Sequence, residues 1–337
     1  MKSSAACLLL SLGLLAGPGR ERTLAAGSSL QVAGKEYVRL TDWARANDFE
    51  VRWIKRDETV QLVKGTLRVQ FSIDSREALI NGIETWLSFP VLGRGGVLFL
   101  SQLDLQTAVQ PVLAPPKNRP GSRVLSICLD AGHGGKDPGY RVGSNQEKKY
   151  TLLLAQEVRE QLVRAGFKVT MTRTTDSFIE LPVRPELARR RNADLFVSLH
   201  FNAAPSSAST VRGAEVYCLT PAGAASTNAR GEGGGAGWFA GNRNNDKNMF
   251  LAYLLQRTLT KNLGVEDRGV HRARYAVLRD AVMPAVLIEG GFMSHPSEGK
   301  KIFDPAYRRQ MAKAIVDGIL AYKQAVEPAA GNRVARS

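Results

Sequence analysis

Two of the four histidines in this 337-residue chain stand directly after apolar segments with the pattern of buried strands. His133 follows VLSICLDAG, and His200 ends DLFVSLH. In proteins that alternate strands with helices, the loops that follow the strands display the site residues. Two imidazoles in that position favour a pair of metal ligands, because neutral histidine is a common ligand of zinc.

A catalytic zinc site has three protein ligands and an open position for water, so a third ligand is expected. Glu147 lies fourteen residues after His133, beyond a glycine-rich loop that is long enough to fold back. It also starts a predicted helix, where the helix dipole favours a carboxylate. Taken alone, Glu147 would equally be an ordinary acidic residue in a first helical turn.

Glu289 closes the apolar segment PAVLIE and precedes two glycines. A carboxylate at the end of a buried strand costs free energy unless it is paired, hydrogen-bonded or close to a metal. This position makes Glu289 a candidate general base. The alternative is a buried ion pair with Arg184 or Arg173.

The segments that must position these residues alternate between strand and helix patterns in the second part of the chain. We predict strands at VLSICLDAG, FKVTMTR, DLFVSLH, GAEVYCL and PAVLIEGG. We predict helices at 148–166, 182–191, 246–263 and 304–323. The alternation indicates a three-layer α/β domain with a mixed or mostly parallel sheet flanked by helices.

The first part of the chain, residues 28–112, has shorter segments in which apolar and polar residues alternate between turn residues. Such a pattern is typical of hairpins, and it predicts a small α+β module whose role is binding or spacing. Three prolines and a glycine in residues 113–122 indicate a linker.

The extreme N-terminus predicts export. Lys2 is followed by an apolar run of signal-peptide length that is too short to span a bilayer, and we expect a signal peptide at 1–26. A retained anchor is the alternative. Without that segment two cysteines remain, Cys128 and Cys218, in apolar strand-like stretches. We favour two buried thiols over a disulfide.

The composition narrows the classes of protein. Apolar residues make up 44% of the chain and charged residues 23%, which excludes a disordered chain and a coiled coil. Beyond the signal segment, no apolar run approaches the roughly 20 residues of a membrane-spanning helix. The formal net charge of +15 indicates an anionic partner or setting, although solubility alone would also account for it.

Several motifs of the second part occur together and in order. They are DAGHGGKDPG at 130–139, the pair Glu147-Lys148, TRTTDSFIELPVRPELARRRNADLFVSLHFNA at 172–203 and DRGVHRARYAVLRDAVMPAVLIEGGFMSH at 267–295. With them, this unit resembles the zinc-dependent N-acetylmuramoyl-L-alanine amidases of the amidase-3 type. The first module loosely resembles the copper-amine-oxidase-like N-terminal module, but it contains no histidine or cysteine that would bind copper.

The resemblance implies one Zn²⁺ per catalytic domain, with His133, Glu147 and His200 as ligands and Glu289 as the catalytic carboxylate. It implies hydrolysis of the amide between the lactyl group of N-acetylmuramic acid and L-alanine in peptidoglycan. That reaction serves cell-wall remodelling or daughter-cell separation. Asn202 and His271 are expected to contact substrate or to stabilise its oxyanion.

The same resemblance assigns the second unit, 123–326, to catalysis and leaves 327–337 as a polar tail. In some related enzymes a helix blocks the metal until a partner moves it. The glycine-rich segment 220–245 carries no strong helical pattern, so we expect an open or mobile rim to the cleft there and no autoinhibitory plug.

Two other functions are compatible with the residues alone. A zinc peptidase could cut within the stem peptide, because water activation does not select the amide. A degenerate, non-catalytic protein could bind peptidoglycan, although the intact candidate site argues against it. We expect peptidoglycan as the partner of an exported protein, in the periplasm, in the cell envelope or outside the cell. An activator protein or an anionic wall polymer is expected as a further partner. Export and the lack of a nucleic-acid motif argue against nucleic acid.

Overall fold

The computed structural model describes residues 29–228 and 237–327. The predicted signal peptide lies outside the described residues, as do the tail from residue 328 and the centre of the predicted rim, 229–236. Within the described ranges, no helix combines the length and apolar character that a membrane crossing needs.

The N-terminal unit consists of short strands and two brief helical stretches. Its elements are β1 Ser29–Val32, β2 Lys35–Arg39, α1 Leu40–Ala46, β3 Glu50–Lys55, β4 Thr59–Lys64, β5 Leu67–Ser72, β6 Glu77–Ile80, β7 Ile83–Trp86, β8 Leu92–Arg94, β9 Val97–Ser101, α2 Gln102–Asp104, a π-helical turn Leu105–Val109 and α3 Gln110–Leu113. Strands β1, β2, β9 and β8 form a four-stranded antiparallel sheet. The hairpins predicted from alternation are therefore present.

The C-terminal unit alternates strands with longer helices. Its elements are β10 Ser126–Ala131, β11 Arg141–Val142, β12 Asn145–Gln146, α4 Glu147–Arg164, β13 Lys168–Met171, α5 Val183–Arg190, β14 Leu195–Asn202, β15 Ala214–Leu219, α6 Asn245–Leu263, β16 Asp267–Ala273, α7 Ala276–Arg279, β17 Ala285–Phe292, α8 Pro296–Phe303 and α9 Pro305–Val326. Two 3₁₀ turns, Pro205–Ser207 and Ala240–Asn244, complete it. All five predicted strands and all four predicted helices occur.

One large sheet crosses both units, in the order β13-β10-β14-β17-β15-β16-β7-β6-β5-β4-β3. The pairs from β13 to β17 are parallel, β17 and β15 are antiparallel, and β15, β16 and β7 are parallel again. The predicted mixed sheet is confirmed. Its continuation into the N-terminal unit through β16 and β7 was not predicted.

Strand β16 is the one long strand of the second unit that the sequence analysis did not predict. Its sequence, DRGVHRA, carries three charged residues and gives little apolar alternation. The structure nevertheless buries most of this strand, and Arg272 donates from Nη2 to the carbonyl of Thr107 at 2.6 Å in the other unit. A strand of charged residues that contact distant partners lacks the local signal on which the prediction depended.

Helices cover both faces of the sheet in the C-terminal unit. One face packs against α4, α6 and α9, in a core that continues into the N-terminal unit. The other face packs against α5 and α7 in a separate cluster. Alternate strand residues point to alternate faces, which puts Cys128 in the second cluster and Cys218 in the first. Both thiols are buried and unpaired, as favoured from the sequence.

Candidate metal centre

Three predicted ligands lie together near the carboxyl ends of β10 and β14. The ligand atoms of His133, Glu147 and His200 are all within 4.8 Å of one another. Glu147 Oε1 lies 3.0 Å from His133 Nε2 and 3.1 Å from His200 Nδ1. Glu147 is 4% exposed, so the carboxylate joins the two imidazoles at the floor of a small, largely buried cluster.

The loop between β10 and α4 folds back, as its length predicted. The amide of Glu147 donates to the carbonyl of Tyr140 at 2.9 Å, and the amide of Tyr140 donates to Glu147 Oε2 at 2.9 Å. Gly139, at φ +61°, is required here, because a Cβ atom would lie 2.5 Å from Glu147 Oε2. The main chain itself therefore fixes the carboxylate.

His133 is oriented by a residue that the sequence analysis missed. Its Nδ1 atom lies 2.7 Å from Asp137 Oδ2, which leaves Nε2 directed at Glu147. A carboxylate behind a ligand histidine fixes the ring and raises its basicity. The available signal was an acidic residue four positions after a candidate ligand, in the same glycine-rich loop.

The electrostatics of the cluster suit a cation. Burial opposes ionisation of Glu147, but its hydrogen bonds with His133 and His200 outweigh burial and lower its pKa. Burial likewise disfavours a charged His133, and Glu147 and Asp137 outweigh it and raise the pKa of that imidazole. Two imidazoles around an anionic oxygen form the donor set that catalytic zinc sites use, so the residues fit a zinc ion.

Glu289 lies beside this cluster on the next strand. It is the register partner of His200 in the parallel pair of β14 and β17. Its Oε2 atom is buried and has no hydrogen-bond partner among the described residues. Burial, together with the charges of Glu147 and Glu215, raises the pKa of Glu289 well above its usual range.

The alternative of a structural ion pair for Glu289 is wrong. Arg184 instead donates from Nη1 to Asp130 Oδ1 at 2.9 Å. Arg173 donates to the carbonyls of Ala131, Gly132 and Lys148 at 2.9, 2.8 and 2.7 Å, respectively. Both guanidinium groups support the main chain around the cluster, and neither neutralises the carboxylate.

A second carboxylate, Glu215, faces Glu289 from the other side and was not predicted. The two residues are antiparallel register partners on β15 and β17. Glu215 is 3% exposed and accepts hydrogen bonds from Asn202 Nδ2 at 2.5 Å and Tyr217 Oη at 2.9 Å. The argument that singled out Glu289, an acid within an apolar strand, applies equally to Glu215 in GAEVYCL.

The two predicted substrate contacts lie around Glu215. Asn202 ends β14, and its amide is held between Glu215 and the amide of Ala203. His271 is 6% exposed and lies behind Glu215, between aromatic rings. A substrate contact by either residue stays a prediction. His295 accepts a hydrogen bond from the amide of Glu298 and caps α8.

The first described part of the predicted rim, residues 220–228, contacts the N-terminal unit. Lys35 Nζ donates to the carbonyl of Gly223 at 2.9 Å, and Arg76 Nη2 donates to the carbonyl of Ser226 at 3.2 Å. Thr227 Oγ1 lies 3.2 Å from His271 Nδ1. The N-terminal unit therefore supports one side of the site.

A three-layer α/β fold with a largely buried His-Glu-His cluster and an unpaired carboxylate beside it is an arrangement typical of metal-dependent hydrolases. Residues 127–321 match the family model of N-acetylmuramoyl-L-alanine amidase, and residues 22–109 match that of the copper amine oxidase N-terminal domain. The chain belongs to the N-acetylmuramoyl-L-alanine amidase family. Both resemblances stated from the sequence are confirmed.

Relatives of known name agree with this assignment. The amidase AmiC of Neisseria meningitidis serogroup B is 37% identical over 230 residues, which cover 62% of this chain and 55% of AmiC. The amidase AmiA of Salmonella typhimurium is 33% identical over 232 residues, which cover 62% of this chain and 79% of AmiA. The chain thus spans only about half the length of the first of these relatives.

Solved structures give the same picture. An N-acetylmuramoyl-L-alanine amidase of Clostridium difficile 630 is 32% identical with a TM-score of 0.50, covering 60% of this chain and 97% of that one. AmiC2 of Nostoc punctiforme is 33% identical with a TM-score of 0.50, covering 60% of this chain and 99% of that one. The predicted fold class is therefore confirmed.

Proposed function

We propose that this protein is a zinc-dependent amidase that cleaves the bond between the lactyl group of N-acetylmuramic acid and L-alanine in peptidoglycan. His133, Glu147 and His200 hold one Zn²⁺, and Glu289 is the general base. The observation that carries the proposal is the buried Oε2 atom of Glu289, which lacks a hydrogen-bond partner and lies in register beside a ligand histidine. Family membership supports the choice of substrate.

The residues divide the work. Zinc, when bound, supplies a Lewis acid that activates water and polarises the lactyl carbonyl. Glu289 accepts a proton from the attacking water at Oε2 and returns a proton to the departing alanine nitrogen. Asp137 keeps His133 in the orientation that directs Nε2 inward.

Peptidoglycan is the partner that this reaction requires, and we propose that the protein acts after export, in the periplasm, in the cell envelope or outside the cell. An excess of 46 basic over 31 acidic residues gives the chain a charge of +15, which favours an anionic wall. Binding to insoluble peptidoglycan should therefore weaken as salt rises. Binding that does not change with salt concentration would contradict the proposal that the positive charge attracts the protein to the wall.

The test is to incubate the purified protein with peptidoglycan. The protein is used in three states: as isolated, after treatment with a chelator, and after zinc is restored. New alanine N-termini and new lactyl carboxyl groups are assayed together. Release of both, lost with the chelator and regained with zinc, is expected. New N-termini at another residue of the stem peptide would indicate a peptidase, and binding without release would indicate a non-catalytic protein.

A further inference from the structure

One strand pair joins the strands of the N-terminal unit to those of the C-terminal unit, next to the candidate site. Strand β7 runs parallel to β16, with Thr85 opposite Val270. The amide of Glu84 donates to Asp267 Oδ2 at 2.9 Å, and Trp86 Nε1 donates to the carbonyl of Arg268 at 3.3 Å. Trp86 is therefore attached to the main chain of β16 as well as paired alongside it.

The indole of Trp86 also covers the imidazole of His271. Their ring centroids are 5.0 Å apart at an interplanar angle of 23°. Tyr217 stacks on His271 as well, at 5.1 Å and 25°. His271 Nε2 lies 2.9 Å from the carbonyl of Arg268, the same oxygen that accepts from Trp86. A carbonyl only accepts hydrogen bonds, so this contact assigns the ring proton to Nε2.

The residues held by Trp86 in turn hold Glu215. Arg268 Nε lies 3.2 Å from Glu215 Oε2, and His271 Nε2 lies 3.6 Å from the same atom. Tyr217, whose ring stacks on His271, donates its hydroxyl to Glu215 Oε1. Every one of these contacts lies on the face of the sheet where Glu289 stands opposite Glu215.

We infer that Trp86, a residue of the N-terminal unit, is a positioning residue for the hydrolytic site. It keeps Arg268 and His271 in place, and these keep the Glu215 carboxylate beside Glu289. Two neighbouring acids repel each other, so the position of Glu289 depends on how firmly Glu215 is held by its donors. The inference rests on the proposed function, and it makes the N-terminal unit part of the catalytic machinery.

The test compares three variants of the full chain. Trp86→Ala removes the stacking and the hydrogen bond, and Trp86→Phe removes the hydrogen bond while keeping an aromatic ring. Trp53→Ala is the matched control, because Trp53 belongs to the same unit but is 40% exposed on β3. For each variant we would measure kcat, KM, bound zinc and the melting temperature.

Trp86→Ala should lower kcat about fivefold with KM and bound zinc unchanged, because small displacements of a reacting group reduce the rate steeply. Trp86→Phe should recover most of that loss, and Trp53→Ala should match the unaltered protein. In a double-mutant cycle, Trp86→Ala should add little to Glu215→Gln, because both act on the same carboxylate. Equal kcat values for Trp86→Ala and Trp53→Ala would overturn the inference. So would a double variant whose loss of kcat equals the product of the losses of Trp86→Ala and Glu215→Gln.

A second readout does not depend on turnover. The chain has only four histidines, so the Nε2 proton of His271 can be followed by NMR in the ¹⁵N-labelled, metal-free protein. We expect slow exchange of this proton in the unaltered protein and in Trp53→Ala, and fast exchange in Trp86→Ala. Unchanged exchange in Trp86→Ala would reject the positioning role even where the amidase assay succeeds. Failure of the amidase assay with the expected exchange would reject the proposed function alone.

Discussion

The two sides of Glu289 are built differently. On one side, His133, Glu147 and His200 come from three segments of the C-terminal unit, and main-chain hydrogen bonds of a glycine-rich loop fix their central carboxylate. On the other side, Glu215 is held by side chains from several strands, backed by Trp86 of the N-terminal unit.

This difference predicts two kinds of failure. Substitutions on the ligand side should change how tightly the metal binds, because we propose those residues as its donors and their supports. Damage to the Glu215 side should lower the rate while the metal stays bound, because those residues support only the position of Glu289. Substitutions on each side can therefore test whether the two halves are separable.

The largest effect is expected from Glu289→Gln, at the boundary between the two sides. Removing the general base should lower turnover about 10³-fold, while bound zinc is unchanged. The measurement is release of alanine N-termini, together with metal content. Glu266→Gln is the control, because Glu266 is an exposed acid paired with Arg212. Turnover within tenfold of the unaltered protein would contradict the base assignment.

The ligand side is tested by Asp137→Asn. This substitution keeps the size of the side chain but weakens the orientation of His133, and zinc affinity should fall about 10- to 100-fold. Activity at saturating zinc should be largely kept. Competition with a chelator measures the affinity, and Asp57→Asn, at a 64% exposed side chain, serves as control. Unchanged affinity would mean that Asp137 does not support the metal.

The other side is tested by Glu215→Gln. Loss of one charge-assisted hydrogen bond of about 1.5–3 kcal/mol should lower kcat about twentyfold. Bound zinc should stay constant, in contrast to Asp137→Asn. Zinc titration and kcat measured on the same preparation check this. If zinc affinity fell together with kcat, the two sides would not be separable.

The smallest effect concerns the joint between the units. Burial, followed by the charges of Glu77 and Asp267, raises the pKa of Glu84 to about 7, and Arg268 only partly offsets them. The folded state then binds this proton more tightly than the unfolded state, so stability is lost as pH rises from about 4.5 to 7.

Glu84→Gln removes this titration. It should raise the melting temperature at pH 8 by roughly 1–2 °C relative to its effect at pH 5. Thermal unfolding at both pH values gives the comparison, with Glu58→Gln, an exposed acid of the same unit, as control. An identical shift of the melting temperature at both pH values would show that ionisation of Glu84 does not destabilise the contact between the units.

Much of the fold was predictable because its signals are local. Apolar runs followed by histidines located β10 and β14, and helical spacing located α4, α6 and α9. The division at residues 112 and 123 stays a prediction. Strand β16 was missed because its arginines contact partners far away in the sequence, which no local pattern records.

The candidate site, like the fold, was predictable in part from the sequence. The residue types and strand-end positions of His133, Glu147, His200 and Glu289 were sufficient to select them. Asp137 and Glu215 were missed, because an acid near a candidate ligand or within one strand becomes meaningful only when its neighbours are known. The partners of Arg173 and Arg184 were likewise beyond local reasoning.

The amino-acid sequence by itself determined the order of strands and helices and which residues carry donor chemistry. It did so because side-chain type and periodicity are properties of neighbouring residues. Only the tertiary structure decided that Val270 pairs with Thr85, that Glu215 faces Glu289 and that Cys128 and Cys218 lie on opposite faces of the sheet. These pairings and placements depend on the register and packing of segments far apart in the chain. They are determined together, because all of them contribute to burial of the core.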